Sequence, residues 1–125
     1  YFTIEMTNFI NKKYAYADTF YLDFNEDNVI HNIIGKKKYP SLKDCLGVQK
    51  KMRPIVKQKY NITNIRDYSS SFPDFQMDAI FGYTKQNSII KINCNRYYSG
   101  NKVEMWIILM SIDIKDSINR FYKGL

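Results

Sequence analysis

From Phe75 onward the sequence takes up a period of two, broken by turns, and that period constrains the fold more than any other feature. Phe75, Met77, Ala79, Phe81 and Tyr83 fall on one side of an extended segment, with Gln76 and Asp78 opposite. After a turn at 84–87, Ser88 to Cys94 repeats the pattern with Ile90, Ile92 and Cys94 on the inner side. Ser99-Gly100-Asn101 is a hairpin signal. Val103 to Ile112 is apolar on both sides, Trp106 included, so this third strand is expected at the centre of a sheet with both faces covered. Three consecutive strands joined by short turns form an antiparallel meander.

Ahead of the meander the spacing changes. Ser41-Leu42-Lys43-Asp44 is a capping-box pattern behind Pro40, and it opens a helix over 41–60. Leu42, Cys45, Leu46, Met52, Ile55 and Val56 share one face of it, and Pro54 is expected to kink or interrupt it. Phe2, Met6, Phe9, Ile10 and Tyr14 give residues 2–14 helical spacing. Phe20, Leu22 and Phe24 alternate within a short strand over 19–24. Asn25 to Asn28 looks like a cap for a short helix over 28–34, ended by Gly35, although the β-branched run there also suits a strand. Residues 36–40 read as a basic linker, 61–74 as a loop and 113–123 as a closing helix. The expected architecture is therefore a single α+β domain over 1–125. It has a three- to four-stranded antiparallel meander, helices packed on it, and one disulfide.

That disulfide joins Cys45 to Cys94. Both positions point inward, and the number of cysteines is even. Closing a loop of about 50 residues is worth about 3–4 kcal/mol. Two buried free thiols are the alternative reading. A disulfide favours a home outside the cytoplasm, so a secreted or periplasmic protein is expected. The chain opens at Tyr1 with no basic-then-apolar leader, as expected of a processed protein or of a piece of a longer one. Its longest apolar run, 105–110, is too short for a membrane-spanning helix.

Charge is concentrated in the middle of the chain. Residues 36–66 carry ten basic groups and one acidic group, within a formal net charge of +7 for the whole. Lys43, Lys50 and Lys57 recur every seven residues on the outer face of the 41–60 helix, with Arg53 nearby and Lys36, Lys37 and Lys38 just before it. Such a patch steers anionic partners. With a single arginine in the helix, and with Tyr39 and Tyr60 as its only aromatics and candidate apolar anchors, the patch is expected to take an acidic protein surface ahead of nucleic acid or an anionic glycan.

Catalytic signals are sparse. His31, with a carboxylate from Asp23, Asp27 or Asp113, is the basis of a rival reading as a small hydrolase or nuclease. Asp74, Asp78, Glu104 and Asp113 supply carboxylates with no spacing that singles out a pair. Asp23 to Asn28 begins like a calcium loop but has Asn28 at the glycine position and Ile34 in place of the bidentate glutamate. One histidine and two cysteines cannot close a zinc site, so no metal or cofactor is expected. Asn61-Ile62-Thr63 is a glycosylation sequon. The stretch from Tyr83 through Asn95 to Asn101 resembles the last strands of the secreted T2-type ribonucleases. The H-x-x-W and H-E-x-x-x-H-G contexts of those enzymes do not occur here, so no catalytic residue is assigned from the resemblance. The expected function is a non-enzymatic one: binding another macromolecule through the basic helix face, as an inhibitor, an immunity-type protein or a virulence accessory.

Overall fold

A computed structural model describes residues 2–7, for which backbone pairing alone is considered, together with 17–28, 30–85 and 88–111. One helix, α1 (Leu42–Lys59), packs on an antiparallel sheet built from β1 (Phe2–Thr7), β2 (Thr19–Phe24), β3 (Ile30–Tyr39), β4 (Arg66–Ser71), β5 (Phe75–Tyr83), β6 (Ser88–Tyr97) and β7 (Val103–Ser111). The sheet order is β1-β2-β3-β7-β6-β5-β4, and every neighbouring pair is antiparallel. The α+β architecture holds, with seven strands in place of three or four.

The three additional strands each have a physical cause. Residues 2–7 pair with β2 as β1, so the expected helix over 2–14 is not formed there; residues 8–14 lie outside the described part. The expected short helix over 28–34 and the linker over 36–40 are together one strand, β3, lying between β2 and β7. A strand with neighbours on both edges and apolar groups on both faces loses its period of two, and its apolar clusters then mimic helical spacing. The expected cap at 25–28 is instead the turn of the β2–β3 hairpin. The Asp27 amide donates to Asn25 Oδ1 at 2.9 Å, and Asn28 takes φ 60°. Gly35 is no helix stop but a mid-strand glycine, where an added Cβ would stand 3.0 Å from the Cβ of Ala17. The expected loop at 61–74 contains the edge strand β4, whose polar RDYSSS sequence becomes a strand by pairing with β5.

The helix and the meander match their sequence signals more closely. The Asp44 amide donates to Ser41 Oγ at 3.1 Å, and the Ser41 hydroxyl donates to Asp44 Oδ2 at 3.0 Å, which fixes the start of α1. The helix runs on through Pro54, which lies exposed on the side away from the sheet. Asn61, in the left-handed region at φ 52°, and the Ile62 amide donating to the Lys57 carbonyl end the helix, so the sequon doubles as a helix stop. The hairpin signal at 99–101 is a short 3-10 turn, with Gly100 at φ 73°. β7 is the central strand, as its apolar faces require.

The core lies between α1 and one face of the sheet. Cys45, Met52 and Val56 of α1 meet Ile80, Ile90, Ile92, Cys94 and Met105. Ile55, expected on that face, is 51% exposed, because the buried stripe follows Cys45, Gln49, Met52 and Val56 instead. Cys45 and Cys94 form the expected disulfide, and both are fully buried. No helix among the described residues is long and apolar enough to cross a membrane. The expected closing helix at 113–123 lies outside the described residues.

Candidate basic interface and adjoining clefts

The buried stripe of α1 fixes which side chains the helix presents to solvent. Seven residues are nearly two turns, so Lys43, Lys50 and Lys57 form one line on the far side from Cys45 and Met52, with about 20° of drift per step. At about 1.5 Å of rise per residue the line is about 21 Å long. All three lysines are exposed, and no ion pair is made to them among the described residues. Gly47 and Pro54 lie along the same side, and a Cβ at Gly47 would meet nothing within 4 Å. Little bulk shades the stripe.

The other expected members of the patch are dispersed. Arg53 is committed: its Nη1 is 2.6 Å from Asp67 Oδ1, and its Nη2 donates to the Ile65 carbonyl at 3.1 Å. It ties the end of the post-helix segment to α1 rather than facing a partner. Tyr39 and Tyr60 are half-buried and pack against the core, with Lys37 and Lys59 each 5.8 Å from a ring centroid, over Tyr39 and Tyr60 respectively. Lys36 pairs in register with Trp106, on the sheet face away from α1. Its ammonium lies 3.7 Å from the Trp106 ring centroid and 4.5 Å from that of Tyr21. Lys38 is on the same face, in register with Glu104. Strand alternation, hidden by the reading of residues 36–40 as a linker, is what separates these lysines from the helix stripe.

Two clefts flank Glu104 on that face. One of about 400 Å³ is lined by Asp18, Tyr21, Lys36, Lys38 and Glu104. The other, about 530 Å³, is lined by Asp74, Tyr97, Tyr98, Lys102 and Glu104. Two of the four sequence-nominated carboxylates, Asp74 and Glu104, thus share a cleft. Asp78 is elsewhere, accepting from Ser69 Oγ at 2.6 Å, and Asp113 is outside the described residues. Tyr97 packs on Phe75 at 5.3 Å between centroids, and Phe75 stacks on Phe72 at 4.7 Å. Sequence reading missed Trp106, Tyr97 and Tyr98 as surface-forming residues; only the turn at 99–101 hinted that Tyr97 and Tyr98 stand beside a rim.

Burial raises the pKa of the Tyr97 phenol, and the Glu104 carboxylate adds to the effect. A phenol with a raised folded-state pKa stabilises the fold fully below the unfolded value near 10, and that contribution is lost as pH rises through the folded value. Tyr97→Phe is therefore expected to flatten the loss of stability above pH ~10 in urea titrations, leaving the curve at pH 7 parallel to that of the parent.

His31 is half-buried on β3. Asp23 pairs in register with Asn32 and accepts from Asn32 Nδ2 at 3.3 Å, so the ladder brings Asn32 to Asp23. Among the described residues no group of three or more His, Cys, Asp or Glu side chains is arranged to hold a metal ion. Comparison of the chain with protein-family models, with characterised proteins and with solved structures finds no match.

Proposed function

We propose that this domain is a non-enzymatic binding protein, working outside the cytoplasm, that takes an acidic protein surface on the outer face of α1. The observation that carries the reading is the exposed Lys43–Lys50–Lys57 line, unneutralised among the described residues. The buried disulfide supports the compartment. A protein partner suits the stripe better than nucleic acid does. The stripe has lysines only, since Arg53 is engaged with Asp67, and the half-buried Tyr39 and Tyr60 lend it no stacking surface. Inhibitors and immunity-type proteins meet their targets through preformed charged faces of this kind, where charge sets association rate and register.

The Lys50→Glu/Lys57→Glu double variant tests it, with immobilised poly-L-glutamate as an acidic polypeptide probe and heparin as the polyanion control. The parent is expected to bind polyglutamate with a rate that falls as salt rises, and the double variant to associate about tenfold more slowly with a flatter salt dependence. An association rate unchanged by the double substitution overturns the reading. Retention on heparin alone moves it to a polyanion binder.

A further inference from the structure

α1 does not cover the whole of the sheet face it packs on. It crosses β3, β7 and β6, and beside its C-terminal half the surface toward β2 is open as a cleft of about 310 Å³. The floor is Ile33, Gly35, Ile107 and Leu109, and Met52 of α1 and Phe20 of β2 form facing walls. Gly35 lets Ala17 and the Phe20 ring pack down on the β2 end of the floor, where they occupy the space a Cβ would take. Among the described residues, the polar side chains of the lining are Lys59 and Tyr60, both at the end of α1. The Lys59 ammonium lies 5.8 Å from the Tyr60 ring centroid, and no ion pair is made to it among the described residues.

We propose that this cleft binds a medium-chain carboxylate, with its aliphatic tail on the Ile33–Ile107–Leu109 floor and its carboxylate at Lys59. The volume stands at the small end of ligand sites, which are mostly apolar with a few placed polar groups. A floor with no polar side chain among the described residues penalises sugars and nucleotides, whose hydroxyls would be buried without partners. A cation is disfavoured by Lys59, and a neutral alcohol gains the floor but not the ammonium. The site is independent of the lysine stripe, since Lys59 lies toward the sheet side of the helix and Lys57 toward solvent.

The test follows the methyl carbon–proton resonances of Ile33, Met52, Ile107 and Leu109 in the disulfide-intact protein during titration with octanoate, octanol and octylammonium. Octanoate is expected to shift these methyls saturably while Ile108 and Met110, on the other sheet face, stay still. Each methylene gained between hexanoate and octanoate is expected to tighten binding about fourfold. Lys59→Glu is expected to weaken octanoate about fivefold and leave octanol unchanged. Leu109→Phe, which fills the floor, is expected to abolish both; should it fail to fold, Lys59→Glu at its exposed site still decides the question. Octylammonium binding as tightly as octanoate overturns the proposal. So do cleft methyls that no ligand moves, as would follow if another part of the chain filled the cleft.

Discussion

Replacing Cys45 and Cys94 together by alanine is expected to lower the unfolding free energy by about 4 kcal/mol and the melting temperature by about 15 °C. The bridge spans 49 positions and ties the first turn of α1 to the middle of β6. Without it the unfolded chain regains the freedom of a loop of about 50 residues, the entropic contribution of a cross-link. Two fully buried sulfurs are lost as well, so a small packing cost adds to the same sign. Guanidinium titration of the parent, the parent held in reductant and the double variant separates the two contributions. Reductant removes the cross-link alone, and the variant removes cross-link and sulfurs together. A loss below about 1 kcal/mol in reductant would show that helix packing alone fixes α1 on the sheet.

The disulfide was legible because two independent periods, helical around Cys45 and alternating around Cys94, each pointed a cysteine inward. The same agreement of local signal with final environment made α1 and β5 to β7 readable: a capping serine, a turn glycine and strands with distinct faces. β3 failed the test for a physical reason. Its Ile33 and Ile34 fall on opposite faces of the sheet, and two of its lysines are not linker charges but long stems laid over aromatic rings, Lys36 on Trp106 and Lys37 on Tyr39. β4 failed differently. Arg66 to Ser71 has little intrinsic strand preference and is mostly exposed, so only the pairing with β5 makes it a strand.

The basic patch was legible in part for the same reason. Heptad spacing on one helix identifies Lys43, Lys50 and Lys57 as a line whatever the rest of the chain does. Arg53 could not be read that way, because its partners, Asp67 and the Ile65 carbonyl, lie beyond the end of the helix, and Asp67 belongs to the strand that sequence missed. The apolar cleft likewise depends on where β2 and β3 lie relative to α1. Residues Ile33 and Gly35 acquire a role there only once β3 is placed beside β7.

Gln49→Ala is expected to cost about 3 kcal/mol, although glutamine on a helix is ordinarily a surface residue. Gln49 falls in the buried stripe one turn after Cys45, 8% exposed. Its Nε2 donates to the Ile92 carbonyl at 2.9 Å and to the Asp78 carbonyl at 3.1 Å, so one amide grips the backbones of β6 and β5 together. Each neutral hydrogen bond contributes about 1 kcal/mol net, and truncation to alanine adds a void between α1 and the sheet. Gln49→Leu keeps most of the volume and removes only the donors, so it is expected to lose about 2 kcal/mol. Gln49→Glu keeps the shape but places a carboxylate against two carbonyl oxygens in a buried site, and it is expected to be the worst of the three at pH 7 and to recover at pH 4. Urea titrations at both pH values read the series. If Gln49→Leu matches the parent, the two hydrogen bonds contribute nothing net, and the seating of α1 rests on the disulfide and the apolar stripe alone. With Gln49→Leu well below the parent but above alanine, the helix is held in register by a polar clamp set one turn from a covalent one. The Lys43–Lys50–Lys57 line then faces solvent in a fixed orientation, which is the condition for a preformed interface.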